Sequence, residues 1–562
     1  MHNVHHQFWP RGVPKDLITP RVALTHYLEV DAARYPDKAA IIFGGQSWTY
    51  AQVQQRVQAL AGYLQQQLGV RAGDRVLLMS QNCPQFVVAY YAILRAGAAV
   101  VPVSPMSTEQ ELTYYTEDSG ATLIMVAQEL LAPVRTVMAK GLIQQAVVHA
   151  YADAIASNPP DALPPVTLEP RGDWASAQLV CHEQAIAAGL APLTGHPHVD
   201  SLAVLPYTSG TTGHPKGCMH THGTVLASNL ASQVWRGTHT DSVFLAVAPL
   251  FHMLGMQSGM NIPITMGSTI VMMPRWDAVS AIHLIARHKV SCWAAPPSMV
   301  MDAFTQPDAK THDLSSLTVL SGGGAAMPEA VATMLFERFG LQYLEAYGLS
   351  ETAAFLHANP PQHSKRQCLG IPTQGVQSRI IDPETLQVLP QGQVGELVTA
   401  GPQVMTGYWR NEEATRAAFI TIEGQRFFRT GDLASVDEEG FFFMQDRLKR
   451  MINASGFKVW PAEVESAMYE HPAIYEACII GINDAKRGET VKALVVLKPE
   501  YRNKVTEEDL MAWSRERMAA YKVPRMVEFL DSLPKSGTGK IMWRELQTQH
   551  NQPSQPSQPA TP

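Results

Sequence analysis

RVLLMSQNCPQFVVAYYAILRAGAAVVPV, residues 75–103, consists of a strand pattern, a helix pattern and a second strand pattern in succession. Arg75–Ser80 and Ala99–Val103 are apolar runs of strand length, and Pro84 begins a helical segment that continues to Ala96. Two strands joined by a helix at this spacing form a βαβ unit, in which the strands lie parallel. The stretch therefore predicts an α/β fold with parallel-rich sheets.

Apolar runs of the same kind recur on both sides of this unit. Residues 24–67 predict a helix at each end with Ile41–Phe43 between them, and the remaining expected strands are Leu123–Val126, Val243–Ala248, Thr269–Met273, Ser291–Ala294 and Thr318–Ser321. Residues 151–200, which are rich in Pro and Ala, predict an irregular connection.

The pattern changes twice toward the carboxyl end. From Val376 to Gly440, short strands separated by Gly and Pro indicate a small antiparallel barrel or sheet. After Asp446, helices and strands alternate over a segment with the size of a small domain. We therefore expect a large N-terminal domain over residues 1–446, with a small β subdomain at 376–440, and a small mobile α+β domain over 447–550. Residues 551–562 form a low-complexity stretch that predicts a disordered tail.

Composition limits the classes of function. The 562 residues are 46% hydrophobic and 17% charged, which is typical of a globular protein with a large core. A net charge of −7 gives no electrostatic reason to expect a nucleic-acid partner. The six cysteines are widely separated, and the N-terminus lacks the basic and apolar segments of a signal peptide. These features predict a cytoplasmic protein.

Residues 242–274 contain no Asp, Glu, Lys or Arg. The stretch is long enough to cross a bilayer, but Pro249, Gly255, Pro263 and Gly267 interrupt it repeatedly. We therefore expect no transmembrane segment and interpret the stretch as buried interior. Its six methionines would suit an adaptable apolar cavity, although a plain core would also contain such residues.

The segment YTSGTTGHPKG, residues 207–217, combines hydroxyl side chains, glycines and a lysine. Exposed backbone N–H groups, hydroxyl donors and an ammonium group suit a polyphosphate. The segment is not a Walker loop, because Pro215 precedes Lys216 and Gly217 follows it. A flexible surface turn is the alternative for such a loop taken alone.

The full segment resembles the phosphate-binding loop of the adenylate-forming superfamily, which contains acyl-CoA synthetases, peptide-synthetase adenylation domains and beetle luciferases. Further motifs of this superfamily follow in its usual order, and the resemblance covers roughly residues 25–545. They are Ala346–Thr352, Gly395–Leu397, Gly401–Trp409, Phe428–Asp432, Asp446–Lys449, Ser455–Glu465 and Pro534–Lys540.

The resemblance implies a reaction in two steps. A carboxylate attacks the α-phosphorus of ATP and pyrophosphate leaves, and then, after the small domain rotates, the thiol of coenzyme A attacks the acyl-adenylate. ATP and Mg²⁺ are the implied cofactors, with coenzyme A as co-substrate. The implied partners are small molecules, including the carboxylic acid, and the sequence leaves a homodimer open.

Three residues are the candidates for catalysis. Lys540 resembles the superfamily's catalytic lysine, whose ammonium group would stabilise negative charge on the α-phosphate. Glu351 resembles the glutamate that holds Mg²⁺, because a hard cation prefers carboxylate oxygen. His252 falls where the family often places a gate beside the carboxylate. The alternatives are a solvated loop lysine, a glutamate that stabilises a helix N-terminus and a core histidine.

The resemblance also implies a nucleotide site. Asp432 would accept both ribose hydroxyls, Arg447 would lie near the ribose and Tyr347 would stack on adenine, whereas a turn aspartate and a core tyrosine are the plainer interpretations. The other expected nucleotide-binding residues are Thr208, Ser209, Gly210, Thr211, Thr212, Gly213, Lys216, Gly324, Ala325, Glu345, Ala346, Gly348 and Ser350.

The small domain contributes a hinge and a thiol-binding loop in this interpretation. Lys449 aligns with the residue about which the domain rotates. Ser455 and Gly456 would line the tunnel for the pantetheine arm of coenzyme A. Asn453 departs from the lysine that many relatives carry and that serves the second step in some of them, so the role of this position stays open.

The acid is predicted from the residues around His252. The expected acyl-pocket residues are Met253, Met256, Ile262, Trp293, Ala295, Gly322 and Leu356. Residues 249–260 contain no acidic residue, which argues against an amino acid as substrate. The segment ending at Glu465 resembles that of bacterial fatty-acid ligases, so we favour a medium- or long-chain fatty acid. An aryl, branched or short acid, an enzyme that delivers acyl-AMP to a separate carrier protein, and a non-catalytic nucleotide-binding regulator remain alternatives.

Overall fold

The computed structural model describes residues 4–174, 176–193, 195–208, 215–324, 326–454, 457–484, 488–535 and 541–551. The chain divides into two compact units. The first comprises Met1–Ser378, Thr399–Arg429 and Glu438–Phe442, and the second comprises Arg379–Val398, Thr430–Asp437 and Phe443–Pro562. The domain boundary near residue 446 stays a prediction, since two segments before it are assigned to the second unit.

A nine-stranded sheet forms one layer of the first unit. Its central strands run parallel, as the sequence predicts, and antiparallel strands close both edges. The strand order is Ile371–Pro372, His357–Ala358, Tyr343–Tyr347, Val319–Gly322, Cys292–Ala294, Val243–Ala246, Thr269–Met272, Ala39–Phe43 and Gln46–Thr49.

A seven-stranded sheet forms a second layer of this unit. All of its pairings are parallel except the one between its first two strands, which is antiparallel. The order is His220–Thr221, Leu202–Val204, Ala99–Val103, Arg75–Met79, Leu123–Ala127, Gln145–His149 and Leu179–Cys181. The last strand and the helix His182–Ala187 lie within residues 151–200, so the predicted irregular connection also contains short regular elements, although most of its described residues are irregular. Their apolar runs are too short to have been recognised.

The helix Pro84–Arg95 lies at the centre of the first unit, with all twelve residues buried. Pro84 begins it and the Cys83 thiol accepts a hydrogen bond from the Phe86 amide at 3.3 Å, which caps the first turn. The cluster around this helix contains side chains from both sheets. The longer helices that cover the sheets are Leu24–Arg34, Tyr50–Gln66, Glu109–Ser119, Leu131–Ala139, His222–Arg236, Ala278–His288, Pro297–Thr305 and Glu329–Phe339.

A five-stranded sheet occupies the region where the sequence predicts a small antiparallel barrel or sheet. Its order is Gln377–Ile381, Gly395–Ala400, Gln425–Val436 and Phe419–Ile422, with Phe442–Arg447 paired to the third of these. The predicted fold class is thus confirmed.

The carboxyl-terminal part of the second unit is an α+β structure. Its sheet has the order Phe457–Val459, Ile452–Ala454, Gly488–Leu497 and Ile474–Asp484, and Met526–Phe529 pairs with the third strand. The helices are Pro461–Tyr469, Glu507–Arg515 and Trp543–Asn551. Asn551 belongs to the last helix, and its side chain accepts a hydrogen bond from the Asn483 amide at 2.7 Å. The predicted tail therefore begins one residue too early, and its remaining residues, 552–562, lie outside the described part of the chain.

The uncharged stretch 242–274 is built into the first unit. It supplies the strands Val243–Ala246 and Thr269–Met272 and, between them, the π-helix Met256–Asn261 and the helix Ile262–Met266. Most of these residues are buried, as expected. Among the described residues, no helix combines the length and apolar character needed to cross a membrane.

Candidate active site

The two ends of the predicted phosphate loop are held together as a short hairpin. Lys216 pairs with Thr208 and Gly217 with Tyr207 in a two-stranded antiparallel sheet. The Tyr114 hydroxyl donates to the Pro215 carbonyl at 2.6 Å, which anchors the returning strand to a neighbouring helix. The loop between these ends contains the predicted residues Ser209, Gly210, Thr211, Thr212 and Gly213, which lie outside the described residues.

Glu351 lies beside this hairpin. Its carboxylate oxygen Oε1 accepts hydrogen bonds from the Tyr408 hydroxyl at 3.2 Å and from Thr208 Oγ1 at 3.5 Å. Lys216 Nζ lies 5.2 Å from the centre of the Tyr408 ring. The structure therefore brings three predicted residues, Thr208, Lys216 and Glu351, to one place, and it adds Tyr408, which the sequence analysis did not single out.

Burial and the neighbouring carboxylate raise the pKa of the Tyr408 phenol well above its ordinary value. The hydroxyl therefore stays protonated and can only donate to Glu351. A carboxylate, a hydroxyl group and an ammonium group together form a suitable environment for a divalent cation bound to phosphate oxygens.

The backbone around Glu351 is fixed by a buried histidine. His220 Nε2 donates to the Ser350 carbonyl at 2.7 Å, and the Met405 amide donates to the Glu351 carbonyl at 2.8 Å. Burial lowers the pKa of His220 to about 4, so its ring is neutral near pH 7. His220 is a positioning residue that the sequence analysis missed, because a strand histidine carries no signal of its distant partner.

A second set of hydrogen bonds holds the residue after this turn. Ala353 has a positive φ of 49°, which disfavours any residue except glycine. Its carbonyl accepts from Ser228 Oγ at 2.5 Å and from Gln257 Nε2 at 3.2 Å. Gln257 belongs to the π-helix Met256–Asn261, and such π-helical turns are frequent at functional sites. The helix that follows His252 is thereby connected to the turn that carries Glu351.

The glycine-rich turn after Val319–Gly322 approaches two neighbouring strands closely. A Cβ atom on Gly322 would lie 1.9 Å from the Ala295 carbonyl oxygen, and one on Gly323 would lie 2.1 Å from the Ala346 carbonyl oxygen. Only glycine fits at either position. Gly322, Ala295 and Ala346 are thus brought together at the carboxyl ends of adjacent parallel strands, where ligands bind in open α/β sheets. Gly324 is exposed beside them with φ at 87°, and Ala325 lies outside the described residues.

Glu345 connects two segments of the backbone. Its carboxylate accepts hydrogen bonds from the amides of Met327 at 2.9 Å and Cys368 at 3.2 Å. Burial raises the pKa of this carboxyl group. In this structure, Glu345 braces the turn that contains Gly324.

The Tyr347 side chain is buried, and its ring centre lies 5.7 Å from that of His357. A Cβ atom on Gly348 would lie 1.8 Å from the Ala354 carbonyl oxygen, so the chain turns tightly here. Leu356 is fully buried, and its amide donates to the Tyr347 carbonyl at 3.0 Å.

The predicted acyl-pocket residues are divided among three buried clusters. Met253 and Met256 pack in the central cluster, Trp293 and Ala295 pack in a second cluster, and Ile262 packs with Phe244 and Cys292 in a third. In the sequence they were assigned to one lining, although Trp293 and Ala295 lie well beyond the segment that follows His252. Burial groups them differently, so their joint role in binding an acid stays a prediction.

His252 is exposed at the start of the short helix Met253–Gly255. Its carbonyl accepts a hydrogen bond from the Met256 amide at 2.8 Å, and its ring centre lies 5.7 Å from that of Phe251. The alternative of a core histidine is therefore wrong. Trp293 stacks on Trp276 at 5.7 Å, and its indole N–H has no hydrogen-bond partner among the described residues.

Two predicted ribose-binding residues lie in contact within the second unit. Arg447 Nε lies 3.0 Å from Asp432 Oδ1, and the Asp432 side chain is almost completely buried while that of Arg447 is half exposed. The Asp432 amide donates to Thr430 Oγ1 at 3.1 Å, which orients the turn. The predicted residues Ser455, Gly456 and Lys540 lie outside the described residues, as does the side chain of Lys449.

Two protein families match this chain and identify the class of enzyme to which it belongs. The family described as "AMP-binding enzyme" matches residues 28–409, and the family described as "AMP-binding enzyme C-terminal domain" matches residues 463–540. The chain therefore belongs to the AMP-binding enzymes, and the superfamily predicted from its motifs is confirmed.

Individual proteins of known name are similar to this chain over nearly its whole length. A long-chain-fatty-acid–CoA ligase from Bacillus subtilis (strain 168) is 35% identical over 553 residues, which cover 97% of each chain. A feruloyl-CoA synthase from an Amycolatopsis species is 33% identical and covers 91% of this chain and 96% of its own. The crystal structure of ATP-bound MatB from Rhodopseudomonas palustris superimposes with a TM-score of 0.81 at 26% identity and covers 93% of this chain and 98% of its own.

Proposed function

We propose that the protein is an ATP-dependent acid–CoA ligase. A carboxylate oxygen of the acid attacks the α-phosphorus of ATP. The bond between the α-phosphorus and the oxygen that bridges it to the β-phosphate breaks, and pyrophosphate leaves. The thiol of coenzyme A then attacks the acyl carbon, AMP leaves and a thioester forms. The similarity to a long-chain-fatty-acid–CoA ligase and to a feruloyl-CoA synthase and the match to both AMP-binding families support this assignment.

The main structural support for the proposal is the contact between Glu351 and the hairpin that joins the two ends of the phosphate loop. Thr208 and Tyr408 donate to one oxygen of the Glu351 carboxylate, and carboxylate oxygen is the kind of ligand that Mg²⁺ prefers. Lys216 supplies positive charge, with its Nζ 5.2 Å from the centre of the Tyr408 ring. Bound Mg²⁺ would neutralise charge on the triphosphate, and these side chains would orient it.

The remaining roles follow from the resemblance and are proposed with it. Lys540 stabilises the charge that develops on the α-phosphate during attack. Asp432 accepts the ribose hydroxyls with Arg447 beside it, which requires their present ion pair to open or to share the carboxylate. His252, exposed at a helix start, gates the acid, and Ser455 and Gly456 receive the pantetheine arm.

The proposed acid is a medium- or long-chain fatty acid. The relative from Bacillus subtilis is a long-chain-fatty-acid–CoA ligase, and the segment after His252 is uncharged and rich in buried methionine. A bulky aryl acid is the second candidate. It is favoured by the 33% identical feruloyl-CoA synthase and by the stacking of the partly buried Trp276 on the buried Trp293, which packs in one cluster with Ala295.

We place the enzyme in the cytoplasm. All six cysteines are free thiols in the structure, which suits a reducing compartment. A homodimer stays a prediction that light scattering of the purified protein can test.

A panel of acids tests the assignment. The purified chain is incubated with ATP, Mg²⁺ and saturated, unsaturated or aryl acids of graded length, and pyrophosphate and thioester are measured with and without coenzyme A. We expect thioester and pyrophosphate to rise together with fatty acids. Pyrophosphate without thioester would instead indicate delivery of acyl-AMP to a carrier protein, and no pyrophosphate with any acid would refute the ligase.

A further inference from the structure

A group of three metal-binding side chains lies apart from every motif discussed above. His283 belongs to the helix Ala278–His288, Asp308 to the short 3₁₀-helix Pro307–Lys310, and His312 follows that helix by two residues. One ligand atom of each side chain lies within 4.8 Å of those of the other two. All three residues are partly exposed, so an ion could reach them from solvent.

The distance between His283 and Asp308 fits a coordinated ion. His283 Nε2 lies 3.3 Å from Asp308 Oδ1. Two ligand atoms that are each about 2.0–2.1 Å from a tetrahedral Zn²⁺ are separated by roughly 3.3–3.4 Å. The pair therefore already has the spacing of one edge of a zinc tetrahedron, and the ion would displace the proton that the two atoms now share in a hydrogen bond.

His312 contacts the backbone of the turn that carries Asp308. Its Nδ1 lies 3.0 Å from the Asp308 carbonyl oxygen and 3.2 Å from Thr311 Oγ1, and because a carbonyl can only accept, the shorter contact is a hydrogen bond in the tautomer whose proton is on Nδ1. The lone pair of the neutral ring is then on Nε2. Histidine ligands of metals usually donate their other ring N–H to a carbonyl or carboxylate in this way. The rings of His283 and His312 are 4.7 Å apart, which leaves them adjacent without direct stacking.

We propose that His283, Asp308 and His312 form a binding site for a borderline divalent transition-metal ion, with Zn²⁺ as the expected occupant. Two imidazoles and one carboxylate favour Zn²⁺ over Mg²⁺, which prefers oxygen ligands alone. Three protein ligands leave a position for water. The ion would tie the helix Ala278–His288 to the turn at 307–312, a structural role that needs no contact with the adenylation reaction.

The experiment uses the full chain after removal of metals with a chelator. ZnCl₂ is titrated, and bound zinc is measured by equilibrium dialysis with mass spectrometry for wild type and for His283→Gln and His312→Gln. His288→Gln is the matched control, because it removes a histidine from the same helix but not from the trio. The control is needed because the chain contains 20 histidines that contribute weak binding.

We expect wild type and His288→Gln to hold one equivalent of zinc that His283→Gln and His312→Gln bind at least tenfold more weakly. Zinc should raise the melting temperature of the first two proteins only, and excess MgCl₂ should not compete. Asp308→Asn gives a third test should either glutamine variant fold poorly. Equal zinc stoichiometry and affinity in all variants, or competition by Mg²⁺ at similar concentration, would overturn the proposal.

Discussion

Glu351 shows how much of the candidate site depends on a single carboxylate. Its carboxylate accepts hydrogen bonds from Thr208 and Tyr408. The backbone of its turn is held by His220 on one side and by the Met405 amide on the other. The motif in the sequence was sufficient to select Glu351, because its residue type and spacing carry the signal. Tyr408 lies inside the motif Gly401–Trp409 but was not selected, and His220 was not selected either, since both residues acquire their roles only through partners that are distant in sequence.

Replacement of Glu351 by glutamine tests the proposed Mg²⁺ ligand. The variant keeps the size of the side chain and removes its charge, so we expect acid-dependent ATP–pyrophosphate exchange to fall by about 10²-fold, which corresponds to about 2.7 kcal/mol in the barrier. The Mg²⁺ concentration for half-maximal exchange should rise. Tyr408→Phe, which removes one donor and keeps the carboxylate, should lose less activity. Unchanged exchange in Glu351→Gln would exclude this role.

The lowered pKa of His220 predicts how the stability of the fold depends on pH. Its folded pKa is about 4, below the 6.5 expected when unfolded, so the unfolded chain binds the proton more tightly. The stability that depends on neutral His220 is therefore complete above pH 6.5 and is lost as the pH falls toward 4. Between these values one such histidine contributes a slope of roughly 1.4 kcal/mol per pH unit.

The measurement is the midpoint of urea unfolding between pH 4 and 8. His220→Gln can still donate to the Ser350 carbonyl but does not titrate, so its midpoint should fall less steeply with acid than that of wild type. Parallel curves for the two proteins would contradict the assignment. His222 and His357, whose pKa values burial also lowers to about 4 and about 3, should maintain part of the slope.

At the scale of elements, the most informative feature is the π-helix Met256–Asn261. The sequence indicated only that this region is buried and uncharged, because the glycines and prolines interrupt any regular period. The structure adds a polar network inside it. Asn261 accepts from the Tyr91 hydroxyl at 3.0 Å and donates to the Tyr90 hydroxyl at 3.1 Å and to Gln257 at 2.9 Å.

Replacement of Gln257 by leucine tests whether this helix positions the Glu351 turn. The change leaves the Val225 carbonyl without this donor and the Ala353 carbonyl with one donor fewer, which costs about 1–3 kcal/mol. We expect a lower kcat for adenylation with a smaller change in the KM for the acid. Gln233→Leu is the control, since that buried glutamine bonds Thr265 instead. Equal loss of kcat in both variants would indicate general destabilisation.

For the whole molecule, the sequence predicted the parallel sheets well because strands buried on both faces appear as continuous apolar runs. It missed the strand Leu179–Cys181, which has three residues and pairs only through its position beside Gln145–His149. It also grouped Met253, Ile262 and Trp293 into one pocket. Residue type and motif do not determine which cluster a side chain joins, and this limited the prediction of the acid site.

Lys540→Ala tests whether this lysine acts in adenylation but not in thioester formation. An ammonium group that acts on the α-phosphate is needed for adenylation but not for attack of a thiol on finished adenylate. We expect pyrophosphate exchange to fall by at least 10²-fold, while thioester formation from synthetic acyl-AMP and coenzyme A continues near the wild-type rate. Lys535→Ala, a lysine from the same segment that pairs with Glu476, is the control. Equal loss of both steps would contradict the proposed role.

The burial of all six cysteines has a practical consequence. Cys83 and Cys218 are fully enclosed, and burial raises the pKa of the Cys83 thiol to about 12. The folded enzyme should therefore resist maleimide reagents. A cysteine introduced on the surface of each compact unit would then be a selective attachment point for a fluorophore pair, and distances between the units could be followed through turnover without first deleting any native thiol.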